Sequence, residues 1–263
     1  KQTGRRYGLL AAAMLATGSA WAATQYSSGT FTWGADPIWS SASGGSYSDP
    51  WLSGNDATFE GAAGTVSVDA AGVTAHNLTF NTTGYTIQNN ALTLNGTLPT
   101  ITLGVGIDAT VSSAIVGGAE FVKSGEGTLT LTAANTFSGG TTVNGGTLIL
   151  SSGHGLKDNS NLTVTNGTVS LRTDGAIRAV GDGTLTVGAG GLVSADGSSS
   201  QNWIYNLAMQ GGTLGATCAG DATYGNFSIF LGGGVTTSGA GGSLSTISAA
   251  LGFIDGTDGL TFN

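Results

Sequence analysis

One five-residue pattern recurs along this chain: glycine, threonine, then an apolar, a polar and an apolar residue. It stands at Gly64-Thr65-Val66-Ser67-Val68, at Gly127-Thr128-Leu129-Thr130-Leu131 and at Gly146-Thr147-Leu148-Ile149-Leu150, where Ile takes the polar slot. It returns at Gly167-Thr168-Val169-Ser170-Leu171 and Gly183-Thr184-Leu185-Thr186-Val187, and in part at Gly212-Thr213-Leu214. Alternation with a period of two marks a strand with one buried face. The leading glycine permits a turn conformation that a β-carbon would forbid. Thr128, Thr147, Thr168 and Thr184 follow one another at intervals of 19, 21 and 16 residues. A period near 20 is the signal of a repeat architecture. Weaker alternating runs lie between, such as Tyr85-Thr86-Ile87, Leu92-Thr93-Leu94 and Leu162-Thr163-Val164, so each period holds two or three short strands. The prediction is a coil whose equivalent strands stack in parallel, about 4.8 Å apart. Leu, Val and Ile then form inward columns, and Thr, Ser and Asn form outward ladders.

An antiparallel β-sandwich or barrel is the competing architecture. Asn95-Gly96, Asn144-Gly145 and Asn166-Gly167 are all hairpin signals. Against it, the glycine-threonine units resemble one another more than the strands of a barrel need to.

Charged residues make up only 8% of the chain, while 40% are hydrophobic, enough for a buried core. Solvent-facing positions therefore fall to Thr, Ser, Asn and Gly, which suits short strands better than helices. The first residues read as an export signal. Lys1, Arg5 and Arg6 form a basic start, Gly8 to Ala16 a short apolar run, and Ala20-Trp21-Ala22 a signal-peptidase site with cleavage after Ala22. That apolar run is too short for a span, which needs roughly 20 residues. The chain then divides into a signal peptide at 1–22, a Trp-rich segment at 23–60 that caps the coil, and a repeat region at 61–263 that stops within a strand-like run, as a fragment would.

Beyond residue 22 only Lys123, Lys157, Arg172 and Arg178 face 15 acids, a net charge of −11. Nucleic acid and anionic membranes require the opposite sign and are excluded as partners. Cys218 is the single cysteine, so no intramolecular disulfide forms. No basic neighbour activates it, and it reads as a small core side chain.

The stretch from Ser124 to Leu150 reads SGEGTLTLTAANTFSGGTTVNGGTLIL. It closely resembles the autotransporter-associated β-strand repeat, above all in Asn135-Thr136-Phe137-Ser138-Gly139-Gly140-Thr141-Thr142. The earlier segment, with Trp33, Trp39, Trp51, Gly54-Asn55-Asp56-Ala57 and Phe59, is similar to the N-terminal stretch of such proteins. The resemblance implies a right-handed parallel β-helix passenger, exported and displayed at or shed from the cell surface. It also implies a translocator barrel or a sorting anchor outside this fragment. It implies no particular activity.

Several β-helix families are polysaccharide lyases or hydrolases, which makes the acids candidate catalysts. Hydrolases need paired carboxylates at fixed separation, whereas here the acids are scattered singly in turn contexts. Asp174, Asp182 and Asp196, with Arg172 and Arg178 nearby, are the best candidates to align on one side of successive coils for catalysis or calcium binding. His76 and His154 lack a nucleophile motif, and His154 reads as an exposed turn. Gly104-Val105-Gly106-Ile107-Asp108-Ala109 fits a dinucleotide fingerprint but precedes a strand-like run, so the required context fails. Trp33, Trp39, Trp51 and Tyr47 read as cap core, with a glycan-stacking platform as the functional alternative. The sequence thus assigns no catalytic, cofactor-binding or metal residue and no cofactor. The leading expectation is a non-catalytic β-helical stalk for adhesion, display or extracellular matrix. With about 20 residues per coil its 241 mature residues make a rod of about 50 Å. Its uncharged polar surface suits surface glycans or neighbouring proteins. The alternative is a β-helical carbohydrate-active enzyme.

Overall fold

Alternate apolar residues in runs of three to five give each strand one wet and one dry side, and stacking such strands buries every dry side at once. The computed structural model realises this as a parallel β-solenoid. It describes residues 22–197, 201–218, 227–230, 235–237, 245–249 and 251–254; residues 1–21 of the proposed leader lie outside them.

The coil has three faces. The first begins with Thr24–Ser28, Asp56–Glu60, Leu78–Phe80, Thr100–Leu103, Phe121–Ser124 and Thr141–Val143. It continues through the start of Leu162–Leu171 and the middle of Arg178–Ala195. The second runs through Phe31–Trp33, Thr65–Val68, Tyr85–Asn89, Asp108–Val111, Thr128–Leu131 and Thr147–Leu150. The third starts with Val73–Ala75, Leu92–Leu94 and Ile115–Val116. Backbone bonds such as Thr136 N–H to Ile115 O and Leu156 N–H to Ala176 O carry it onward, to where Arg178 and Ala179 pair with Trp203 and Ile204.

Every pairing between these strands is parallel; antiparallel contact is confined to isolated bridges such as Tyr26–Ser40 and Trp39–Asp49. A sandwich or barrel of hairpins is therefore excluded. The Asn-Gly pairs do not make hairpins. Asn166-Gly167, for example, lies inside Leu162–Leu171, where the chain passes from the first face to the second.

Side chains stack in register. On the second face Val66, Ile87, Val111, Leu131, Leu150 and Leu171 form one fully buried row. Each such side chain contributes about 1.5–3 kcal/mol through burial. Steps along this row range from 19 to 24 residues, so coils absorb insertions at their corners without losing register. The 16-residue interval read from the sequence is not a step of this row. Thr168 pairs with Leu192, whereas Thr184 to Val187 stack on the first face beside Leu207 and its neighbours.

The glycines of the repeat have a second reason beyond turn conformation. Gly146 and Gly167 do adopt positive φ, at 60° and 97°. Gly64, Gly127 and Gly212 do not; they sit where one coil's backbone presses on the next. A β-carbon on Gly127 would fall under 3.0 Å from the carbonyl oxygens of Ile107 and Gly104, and one on Gly212 would meet Gly188 O in the same way. Backbone cannot step aside as a side chain can. Outward hydroxyls meet in places, as in Thr102 Oγ1 with Ser124 Oγ at 2.9 Å and Thr132 Oγ1 donating to Ser112 Oγ at 2.8 Å.

The first coil differs. Phe31 pairs with Val66, 35 residues on, because residues 34–55 make an excursion at this end of the core. Trp33 and Trp39 are fully buried and pack with Trp51 and Phe59 at centroid distances of 4.6–5.8 Å. Glu60 ties the excursion down by accepting from Ser43 Oγ, the Gly44 N–H and Tyr47 OH.

Gly127→Ala is expected to lower stability by about 3 kcal/mol, since the clash is with backbone. Gly104→Ala, whose β-carbon would meet only the Ile107 side chain at 3.7 Å, should cost about 1 kcal/mol or less. Chemical denaturation followed by circular dichroism compares the two.

Candidate functional site

The richest group of functional side chains sits on the third face, across three successive coils. His154 stands in a left-handed backbone position (φ 58°), held in the stack by its N–H to Gly175 O and by Asn135 N–H to its own carbonyl. Its ring points outward. Nδ1 lies 2.8 Å from Asp158 Oδ1 and Nε2 lies 3.0 Å from an Arg178 terminal nitrogen. Guanidinium has no acceptor, so Nε2 must accept and Nδ1–H must donate to the carboxylate. The neutral imidazole thereby links carboxylate to guanidinium. Arg178 is the register partner of Trp203, and its guanidinium carbon lies 4.6 Å from the centre of that ring, a cation–π arrangement. Arg178 Nε is buried without a hydrogen-bond partner. Beside it, where the third face meets the first, a small cleft is lined by Leu156, Lys157, Leu162, Ile177 and Arg178, with Ser160 and Thr184 among its polar members.

The other candidates are spread apart. Asp174 accepts from the Gln201 N–H at 2.8 Å, closing the turn of its own coil onto the next. Asp196 accepts from Ser194 Oγ and Thr217 Oγ1. Burial opposes its ionisation, yet hydrogen bonds from Ser194, Ser170 and Thr217, with the charge of Arg172, hold its carboxyl below the usual range. Asp182 has its side chain outside the described residues. Asp174 and Asp196 share no partner, and each is engaged in holding its own turn. His76 pairs with Asp56 at 3.0 Å far from both, and Cys218 is half-buried against the core with its thiol toward Ala195 O. Trp33 and Trp39 are too buried to stack on a glycan, because the excursion at 34–55 folds them inward. Among the described residues no group of three or more His, Cys, Asp and Glu is placed to hold a metal ion.

The central stretch of the coil fits a known repeat. Residues 121–150 match the passenger-associated-transport-repeat model. The chain belongs to the autotransporter passenger-repeat proteins. It is 35% identical over 216 residues to the adhesin BmaC autotransporter of Brucella suis biovar 1 (strain 1330), across 71% of this chain. The chain spans only 6% of that relative's length. No solved structure is significantly similar.

The geometry explains the string that carries the passenger repeat. Asn135 is 3% exposed and bridges three coils: its Oδ1 accepts from the Ile115 N–H, and its Nδ2 donates to Ala133 O and, at 2.6 Å, to Gly155 O. Phe137 is buried edge-on against Phe121, with centroids 5.1 Å apart. Gly139 lies where a β-carbon would collide with the backbone of Ala119 and Glu120.

The repeat also contains a residue that sequence reading passed over. Lys123 occupies an inward position of the first face, between Ile101 and Val143, and is completely buried. Its Nζ donates to the carbonyls of Gly125, Gly127 and Gly145 at 2.6–3.0 Å, and more weakly to Ser124 O. Burial pushes this ammonium down to about 8, with the nearby Glu126 charge opposing. An unfolded lysine titrates near 10.5, so between these values the unfolded chain binds more protons than the folded one. Stability then rises as pH rises through that window and is lost as pH falls back toward 8. Lys123→Met should abolish this rise relative to wild type, as read from urea midpoints at intervals between pH 8 and pH 10.5. Parallel pH curves for the two proteins would contradict it.

Proposed function

We propose that this chain is a non-catalytic module of an exported surface protein, a stiff β-helical stalk serving adhesion, display or the extracellular matrix. The observation that carries this reading is its similarity, over most of its length, to a protein named an adhesin, in an architecture of unbroken parallel columns. Residues 1–22 direct export, and 23–60 cap the first coil, covering the strand edges and apolar core that an open solenoid end exposes. The buried cluster of Trp33, Trp39 and Phe59 supports that role. A translocator barrel in the complete protein would place the rod at the outer membrane, with glycans or proteins of other surfaces as partners.

The geometry of the acids supports the absence of catalysis. Asp174 and Asp196 are each spent on turn hydrogen bonds rather than aimed together at one point, whereas glycoside hydrolysis needs two carboxyls facing one bond.

Bacteria displaying the full-length protein should adhere to host-cell or matrix-coated surfaces, and deletion of 23–263 should reduce that adherence severalfold. Over a panel of acidic and neutral polysaccharides the purified chain should release no new reducing ends or unsaturated products. Turnover that disappears in the triple variant Asp174→Asn, Asp182→Asn, Asp196→Asn would establish the enzyme reading instead.

A further inference from the structure

Beyond residue 22 this chain has four cationic residues other than histidine, in a background of net charge −11. Lys123 is sealed in the core. Of the remaining three, Lys157 and Arg178 line the same cleft, where the third face meets the first. That placement brings half of the cationic charge to one spot of an otherwise acidic, neutral-polar rod.

We infer that this cleft is a binding site for the carboxylate of an acidic saccharide, a hexuronate or a related sugar acid. The inference deepens the adhesive reading above by naming a ligand class, although binding in the cleft does not depend on that reading being correct.

Four features support it. First, Arg178 is pinned before any ligand arrives. Trp203 supports its guanidinium from one coil, and His154, itself oriented by Asp158, holds it from another. A guanidinium fixed in this way meets a carboxylate through the N–H donors that His154 leaves unused, with little further ordering cost. Second, Arg178 Nε is a buried donor without a partner, and an unmet donor favours whatever acceptor reaches it. Third, Lys157 is exposed and lines the cleft together with Arg178, so two positive charges share it while Asp158 is engaged by His154 and Asp174 by the Gln201 N–H. Fourth, Ser160 and Thr184 add hydroxyls to the lining of the cleft, partners for the hydroxyls of a sugar that presents its carboxylate there.

An acidic peptide is the rival ligand. Peptides commonly bind by adding a strand to a free sheet edge. Here the neighbouring strand is paired on both sides, with Leu162 held between Thr141 and Leu185. Side-chain recognition of a saccharide fits a closed column better. His154 acts here as a positioning residue for Arg178.

The test is calorimetric titration of the chain with tetragalacturonate, its fully methyl-esterified form, and a glutamate-rich peptide. Wild type should bind the acid form and bind the ester at least about tenfold more weakly, as loss of a charge-assisted bond predicts. Lys157→Gln and Arg178→Gln should each weaken acid binding about tenfold. His154→Phe should weaken it less and leave the preference for acid over ester intact. Thermal melts of the variants confirm folding, and Lys157→Gln, at an exposed position, serves if Arg178→Gln unfolds. Equal affinity for acid and ester, unchanged binding in both cation variants, or no acid binding at all would overturn the site. Stronger binding of the peptide would overturn the saccharide assignment. Adherence that persists in the cation variants counts against this cleft alone, whereas saccharide binding by a chain that mediates no adherence counts against the adhesive reading alone.

Discussion

A tight approach of backbone to backbone recurs in this molecule, and the register of the coil depends on it. Where the first face turns into the second, the glycine ahead of the strand lies directly on the coil below at Gly64, Gly127, Gly146, Gly167 and Gly212, with no space for a β-carbon. At those corners the contact brings equivalent strands within hydrogen-bonding reach. It also fixes which residue stacks on which, so that Leu lies over Leu and Thr over Thr. Hydrophobic burial supplies the energy, but the corner sets the register. A register slip by one residue would turn each row of Leu and Val outward.

Much of this was legible in the sequence because the repeat states it twice, once in the alternation and once in the glycine. Strands with period two, a coil near 20 residues and parallel stacking all follow from those signals. What the sequence hid is the variable length of the corners. Gly183-Thr184-Leu185 looks like another unit of the second face, yet Leu185 stacks between Leu162 and Leu207 on the first. The resemblance carried by Asn135 to Thr142 pointed to the family correctly, and the structure adds the reason: one buried amide bridges three coils.

The candidate site was less legible, for a physical reason. In a solenoid, neighbours in space lie one coil apart in sequence, and that distance changes from coil to coil. Arg178 lies 24 residues beyond His154, and Trp203 lies 25 beyond Arg178. Reading the chain in windows set His154 aside as an exposed turn, which it is, and grouped Arg178 with acids that it does not serve. Lys123 was hidden differently. Its position looks like any solvent-facing polar residue beside a turn, and only the glycine carbonyls of two coils, gathered around one ammonium, make burial tolerable. Both residues depend on corners that alternation does not describe.

The parallel register underlies every feature of this coil, and distances between spin labels read that register directly. In a Cys218→Ser background, labels at Thr100→Cys paired with Thr163→Cys, Thr186→Cys or Ala208→Cys lie three, four and five steps apart along one outward row of the first face. Pulsed electron–electron resonance should return separations that grow by about 4.8 Å from each pair to the next, reaching about 24 Å for the last. Separations that fail to increase in even steps would contradict the solenoid and everything built on it.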